Sequence, residues 1–141
     1  MKFIGNTSGN NEKYLYFRTT AGDADDDATG DSALFPASSL MGMQPTGDTA
    51  LTLYFKSMLR GSGNEGAADA LANLDNNDSV VLTIPENTQL IAMKAIIEAI
   101  NNDFFPALLV IASDASGNTE YLEGSGITEC GTISVSAAYT N

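Results

Sequence analysis

This chain of 141 residues has no histidine and one cysteine, so it lacks the side chain most often used for acid–base catalysis near neutral pH. Its 43% of hydrophobic and 17% of charged residues are typical of a folded protein, and its length predicts a single domain, residues 1–141. Eighteen acidic and six basic residues give a net charge of −12, which argues against nucleic acid and anionic membranes as partners.

The first half of the chain predicts two strands and long loops. Residues 1–12 are mostly polar and suggest an extended N-terminal arm. The aromatic run at residues 13–18 favours a strand. Residues 21–48 contain an acidic run followed by prolines and glycines, which predicts a long loop. Side chains alternate in polarity over residues 49–56, as in a strand with one buried face.

The second half predicts four more strands. Residues 60–77 are rich in glycine, alanine and asparagine and predict another long loop. A strand at residues 80–84 ends at Pro85. The continuous apolar run at residues 107–112 is typical of a strand covered on both faces. A short strand at Tyr121 and Leu122 and a last strand marked by Ile133, Val135 and Ala137 follow.

One helix is predicted at residues 88–101, with Asn87 as an N-cap whose side chain accepts a hydrogen bond from a helix amide. Its larger apolar side chains recur with helical spacing, at Leu90, Met93, Ile97 and Ile100, and this apolar side is widened by Ala92, Ile96 and Ala99. We expect this side of the helix to lie on a sheet. Strands on both sides of a single helix, without βαβ repeats, predict an α+β fold with a mostly antiparallel sheet packed against that helix.

The acidic loop at residues 23–31 is the first candidate site, because closely spaced carboxylates bind calcium. Its spacing does not fit a calcium loop: counted from Asp23, Ala28 and Leu34 stand where glycine and a bidentate glutamate are needed. We interpret it as a solvated loop. Residues 61–66 match the glycine pattern of dinucleotide-binding loops, but acidic residues follow them instead of a parallel βαβ unit. No metal or cofactor is therefore predicted.

Catalytic groups are also not predicted. Without histidine, a serine or Cys130 would need Lys56, Lys94 or a carboxylate as its base, and no motif links them. Glu129 would raise the pKa of the neighbouring Cys130 thiol, so we expect an unreactive cysteine.

Two further patterns keep alternatives open. A histidine-free glycosidase could use a carboxylate pair, although so acidic a chain produces such pairs by chance. The candidate pairs are Glu120 with Glu123 and Asp75 with Asp78. Aromatic side chains could line a groove for a sugar or a peptide, although in strands they are more often part of the core. These residues are Tyr14, Tyr16, Phe17, Tyr54 and Phe55.

The sequence also bears on the compartment. Cys130 alone cannot form an intrachain disulfide, so no oxidising environment is implied. The first residues lack the apolar run of a signal peptide, and no stretch reaches the ~18 apolar residues of a membrane span. We expect a soluble protein released into a cytoplasm.

A family resemblance extends over residues 48–135. The resemblance lies in the amino-acid sequences and the order of four segments, which are residues 48–55, 78–84, 99–101 and 109–112. In this layout the chain resembles small virion-associated proteins of tailed phages, especially phages of marine cyanobacteria. Residues 16–20 and 36–38 add two short matches before it.

The resemblance implies a non-enzymatic structural protein of the virion, in its most specific form a capsid decoration or cement protein. Such a protein would be assembled in the host cytoplasm and would bind the major capsid protein or another virion protein. It would do so in many copies, as a trimer or dimer, with avidity strengthening a weak contact. An adhesin or glycan-binding module of the virion surface is the alternative. We expect residues 1–12 and 22–36 to contact neighbouring subunits, because they are too polar to fold alone.

Overall fold

The structure, a computed structural model, describes residues 12–22, 26–58 and 77–135. In these residues, eight strands and one α-helix follow one another along the chain. They are β1 (Tyr14–Arg18), β2 (Ser32–Pro36), β3 (Leu40–Gly47), β4 (Ala50–Lys56), β5 (Asn77–Thr83), α1 (Gln89–Asn101), β6 (Leu108–Ser113), β7 (Glu120–Tyr121) and β8 (Glu129–Ser134). A 3-10 helix, Ala37–Ser39, connects β2 to β3.

The strands form two sheets of four. The first sheet has the order β2-β1-β6-β7 and the second has the order β3-β4-β5-β8. Neighbouring strands are antiparallel except β1 and β6, which are parallel. The predicted α+β class, with mostly antiparallel strands and one helix in the described residues, is confirmed. The strands are divided between two sheets, whereas the sequence analysis assigned them to one.

The long loop predicted at residues 21–48 is wrong over most of its length, because β2 and β3 lie within it. Pro36 ends β2, and Pro45 lies within β3. Both strands are at the edge of a sheet, where one side of the strand makes no ladder bonds and proline is tolerated. The loop predicted at 60–77 lies outside the described residues except Asn77, which begins β5, and so does the N-terminal arm except Glu12.

Three phenylalanines join the two sheets. Phe17 of β1 and Phe35 of β2 come from the first sheet, Phe55 of β4 comes from the second, and all three are fully buried. The rings of Phe35 and Phe55 are stacked, with centroids 4.1 Å apart and planes 5° apart. The Phe17 ring meets both edge-on, at 6.1 and 6.0 Å. We name this group the phenylalanine cluster.

The buried side of α1 is part of the predicted apolar side. It consists of Ala92, Ile96 and Ala99, as the prediction included. Of the four larger residues expected to face a sheet, Met93 and Ile100 pack partly against the core, but Leu90 and Ile97 are 62% and 42% exposed. Small alanine side chains let the helix backbone approach β3 and β6, and the helix is rotated accordingly.

The start of the helix also differs from the prediction. Asn87 is not the N-cap: its backbone is left-handed, with φ of 66°, in the turn after Pro85. Thr88 is the N-cap, and its hydroxyl donates a hydrogen bond to the Pro85 carbonyl at 2.7 Å. It therefore stabilises the turn and does not accept a bond from the helix amides.

The phenylalanine cluster predicts a large difference between two neighbouring substitutions. Phe35→Ala removes a fully buried ring and should lower the free energy of unfolding by about 3–5 kcal/mol. Leu34→Ala, at a position 43% exposed, should change it by less than about 1 kcal/mol. Urea denaturation of both variants measures the difference, and equal losses would contradict this packing.

Candidate functional site

The described part of the acidic loop is fastened to β1 and to itself. The Asp26 carboxylate lies 3.4 Å from the Arg18 guanidinium, and the Asp31 carboxylate accepts a hydrogen bond from the Ala28 amide at 3.0 Å. Asp23 and Asp25 lie outside the described residues. In the described ranges, no three Cys, Asp or Glu side chains are grouped so that they could hold a metal ion.

The structure describes only some of the other predicted site residues. Residues 61–66 and Asp75 lie outside the described residues. Asp78 is fully buried and accepts a hydrogen bond from the Met58 amide at 2.8 Å, which is a structural role. Glu120 and Glu123 are exposed to solvent.

Asp114 connects the two sheets. It directly follows β6, and its carboxylate accepts hydrogen bonds from the Tyr121 hydroxyl and from the Cys130 amide, the latter at 3.1 Å. Its own amide donates to the Arg18 carbonyl at 3.0 Å. One side chain therefore joins β7 of the first sheet to β8 of the second.

The same surroundings hold the buried Cys130 thiol in its protonated form. Burial, followed by the Asp114 charge, raises the pKa of the thiol from 9.0 to about 12, and Glu129 makes the smallest contribution. The expected direction is correct, but its main cause is burial, not the sequence neighbour. Burial and the hydrogen bond to Asp114 likewise raise the pKa of Tyr121 from 10.0 to about 12.

The outer side of the first sheet is the strongest candidate for an interaction surface. Tyr14 and Tyr16 point outward, because Leu15 and Phe17 on the same strand point into the core. The residues paired with Tyr14 and Tyr16 on the neighbouring strands β2 and β6 lie on the same outer face of the sheet. The first row is Pro36, Tyr14 and Leu108, and the second row is Leu34, Tyr16 and Val110. We name these six residues the tyrosine face.

The tyrosine face is uncharged and partly exposed. Leu108, Leu34 and Tyr14 are 48%, 43% and 39% exposed, and the other members are half-buried. None of the six is an acidic or basic residue, although the chain carries a net charge of −12. Contiguous apolar patches on a protein surface mark interaction sites.

The aromatic residues singled out in the sequence do not form one groove. Phe17 and Phe55 belong to the phenylalanine cluster, and half-buried Tyr54 lies on β4 of the second sheet. Only Tyr14 and Tyr16 share a surface. Sequence reasoning missed that surface because its rows depend on the parallel pairing of β1 with β6, which no local pattern indicates.

The raised pKa values predict a loss of stability at alkaline pH. The folded chain keeps protons on Cys130 and Tyr121 that the unfolded chain releases from about pH 9 and pH 10. Their stabilising contribution is therefore complete below about pH 9 and is lost as the pH rises to about 12.

Urea unfolding at a series of pH values measures this loss. In Cys130→Ala, the free energy of unfolding should begin to fall only near pH 10, because the remaining contribution is that of Tyr121. In Tyr121→Phe, the free energy of unfolding should still begin to fall near pH 9, because the Cys130 thiol is kept. If Cys130→Ala declines in parallel with the unmodified chain from pH 9, the thiol is not held as described.

Comparison with protein-family models finds no matching family, and comparisons with curated proteins and with solved structures find no match. In the described ranges, no helix is both long and apolar enough to cross a membrane. The resemblance to phage proteins stays a prediction.

Proposed function

We propose that the chain is a structural protein of a phage virion, most specifically a capsid decoration protein that binds the outside of the head in many copies. The observation that carries the proposal is the tyrosine face, an uncharged apolar surface on a strongly acidic protein. The layout of residues 48–135, which resembles that of phage virion proteins, supports it.

The tyrosine face suits a docking surface because its side chains are held on paired strands. Tyr16 lies between Leu34 and Val110 in the ladder, so little conformational freedom is lost when a partner covers it. Tyrosine also combines a large apolar ring with a hydroxyl that can bond to a partner.

The charge of the chain indicates what the partner surface must be like. The partner needs an apolar patch opposite the tyrosine face, and positive charge around it would complement the net charge of −12. The small area of six side chains gives a weak contact. Many copies on one lattice make a weak contact sufficient.

Quantitative mass spectrometry of purified particles tests the location. Hundreds of copies per particle are expected for a head decoration protein. About six to twelve copies would instead indicate a ring at the tail or portal, as symmetric assemblies require. Absence of the chain from the particles would overturn the proposal.

Binding to particles that lack the chain tests the surface. Leu34→Glu places a charge in the tyrosine face and should weaken binding at least about tenfold. Gln44→Glu adds the same charge on β3 of the second sheet, at an exposed position, and is the matched control. The unfolding curves of both variants show whether the fold is kept. Equal binding of the two variants would mean that another surface docks.

A glycan-binding module is the second candidate, favoured by the two tyrosines that share one partly exposed face. Aromatic rings on a flat surface can stack on sugars. A glycan array probed with assembled protein tests it. Binding that is lost in Tyr16→Ala would support the glycan function, and an array without hits would contradict it.

A further inference from the structure

The outer side of α1 carries an apolar stripe that the chain covers only in part. The stripe consists of Leu90, Met93, Ile97 and Ile100, whose spacing places them along one side of a helix. A globular protein normally buries such a stripe against its core. Here Leu90 and Ile97 are largely exposed, and Met93 and Ile100 are half-buried, while other residues of the helix face the core. Packing within the described part of the chain therefore accounts for only part of the stripe.

Lys94 and Glu98 border the stripe along one flank. With Met93 and Ile97 they line an open depression of about 410 Å³, whereas Glu123 lines the neighbouring groove and not this one. Both charged side chains are exposed, and neither makes an ion pair in the part of the chain that the structure describes. They lie four residues apart with the lysine first, which is the less favourable order for an ion pair within one helix. The depression thus has one cation and one anion at its rim and no net charge.

This charge pattern is complementary to itself under a two-fold axis. In an isologous contact between antiparallel helices, residues at equal distances on opposite sides of the axis face each other. An axis at the level of Ile96, midway between Lys94 and Glu98, sets Lys94 of each copy beside Glu98 of the other. Two pairs of opposite charges result. A parallel pair of helices in register would instead set lysine beside lysine and glutamate beside glutamate.

The same register brings the apolar stripes together and keeps the other charges apart. Ile97 lies one residue from the axis, about 1.5 Å along the helix, so the two Ile97 side chains meet at the centre. Asp103, just beyond the end of α1, lies at the level of Gln89 of the other copy, which is uncharged. Glu86, just before α1, lies at the level of Pro106.

We propose that two copies of this chain associate through the apolar stripes of α1, in an antiparallel pair with Lys94 of each copy against Glu98 of the other. A helix of 13 residues is about 20 Å long, so the contact is small and the dimer is weak. The stripe shares no residue with the tyrosine face. The inference does not depend on the proposed virion function.

Sedimentation velocity of the purified full chain over about 1 µM to 1 mM tests the dimer. The unmodified chain should dimerise in this range, and Ile97→Gln, at the centre of the contact, should weaken dimerisation at least about tenfold. Leu108→Gln makes a similar change at a similarly exposed position of the tyrosine face and should dimerise as the unmodified chain does. A chain that stays monomeric at 1 mM, or equal dimerisation of the two variants, would overturn the proposal.

Charge reversal tests the antiparallel register. Lys94→Glu and Glu98→Lys should each weaken the dimer, because each sets like charges against one another. The double variant should restore it, because both pairs are reversed. Unfolding curves of the variants show whether the fold is kept. Failure of the double variant to recover, or single variants that dimerise normally, would contradict the arrangement.

The dimer and the virion function can fail separately. A monomeric protein that still binds particles would overturn the dimer and leave the virion function intact. A dimeric protein that is absent from particles would overturn the virion function and leave the dimer intact.

Discussion

The stacking of Phe35 on Phe55 is the contact on which the rest of the structure depends, because it joins the two sheets and fixes which side of each strand is buried. Side chains alternate along a strand, so a shift of one residue would exchange its two faces. With Phe17 and Phe35 inside, Tyr16 and Leu34 must lie outside. The position of the tyrosine face is thus a consequence of the core and not an independent feature of the chain.

Much of the fold could be predicted from the sequence. The alternation along β4 and the helical spacing in α1 are local patterns, and local patterns were sufficient to place them. The edge strands β2 and β3 have weaker alternation of polar and apolar residues, and Pro36 and Pro45 led to the prediction of a loop there. The predicted apolar side of α1 included Ala92 and Ala99, but spacing alone did not show that close packing buries these alanines and leaves Leu90 exposed.

The candidate sites were harder to predict, since each combines residues that are distant in sequence. Tyr16 becomes part of a surface only when Val110 lies beside it, through a parallel pairing that crosses most of the chain. Asp114 has no partner nearby in sequence that would identify it as the link to β8. Phe104 follows α1 and is 96% exposed, with its amide bonded to the Asn102 side chain. The sequence alone does not distinguish this phenylalanine from a buried one.

The structure shows what some of the acidic side chains do. Described carboxylates such as Asp26 and Asp31 fasten loops, and none of the six residues of the tyrosine face is charged. Hydroxyl-radical footprinting of the particle-bound and the free chain tests that central claim most directly. Protection of Tyr14 and Tyr16 on the particle, with Tyr54 on the second sheet unchanged, is the predicted result. Protection of Tyr54 alone, or of none of these residues, would contradict the account.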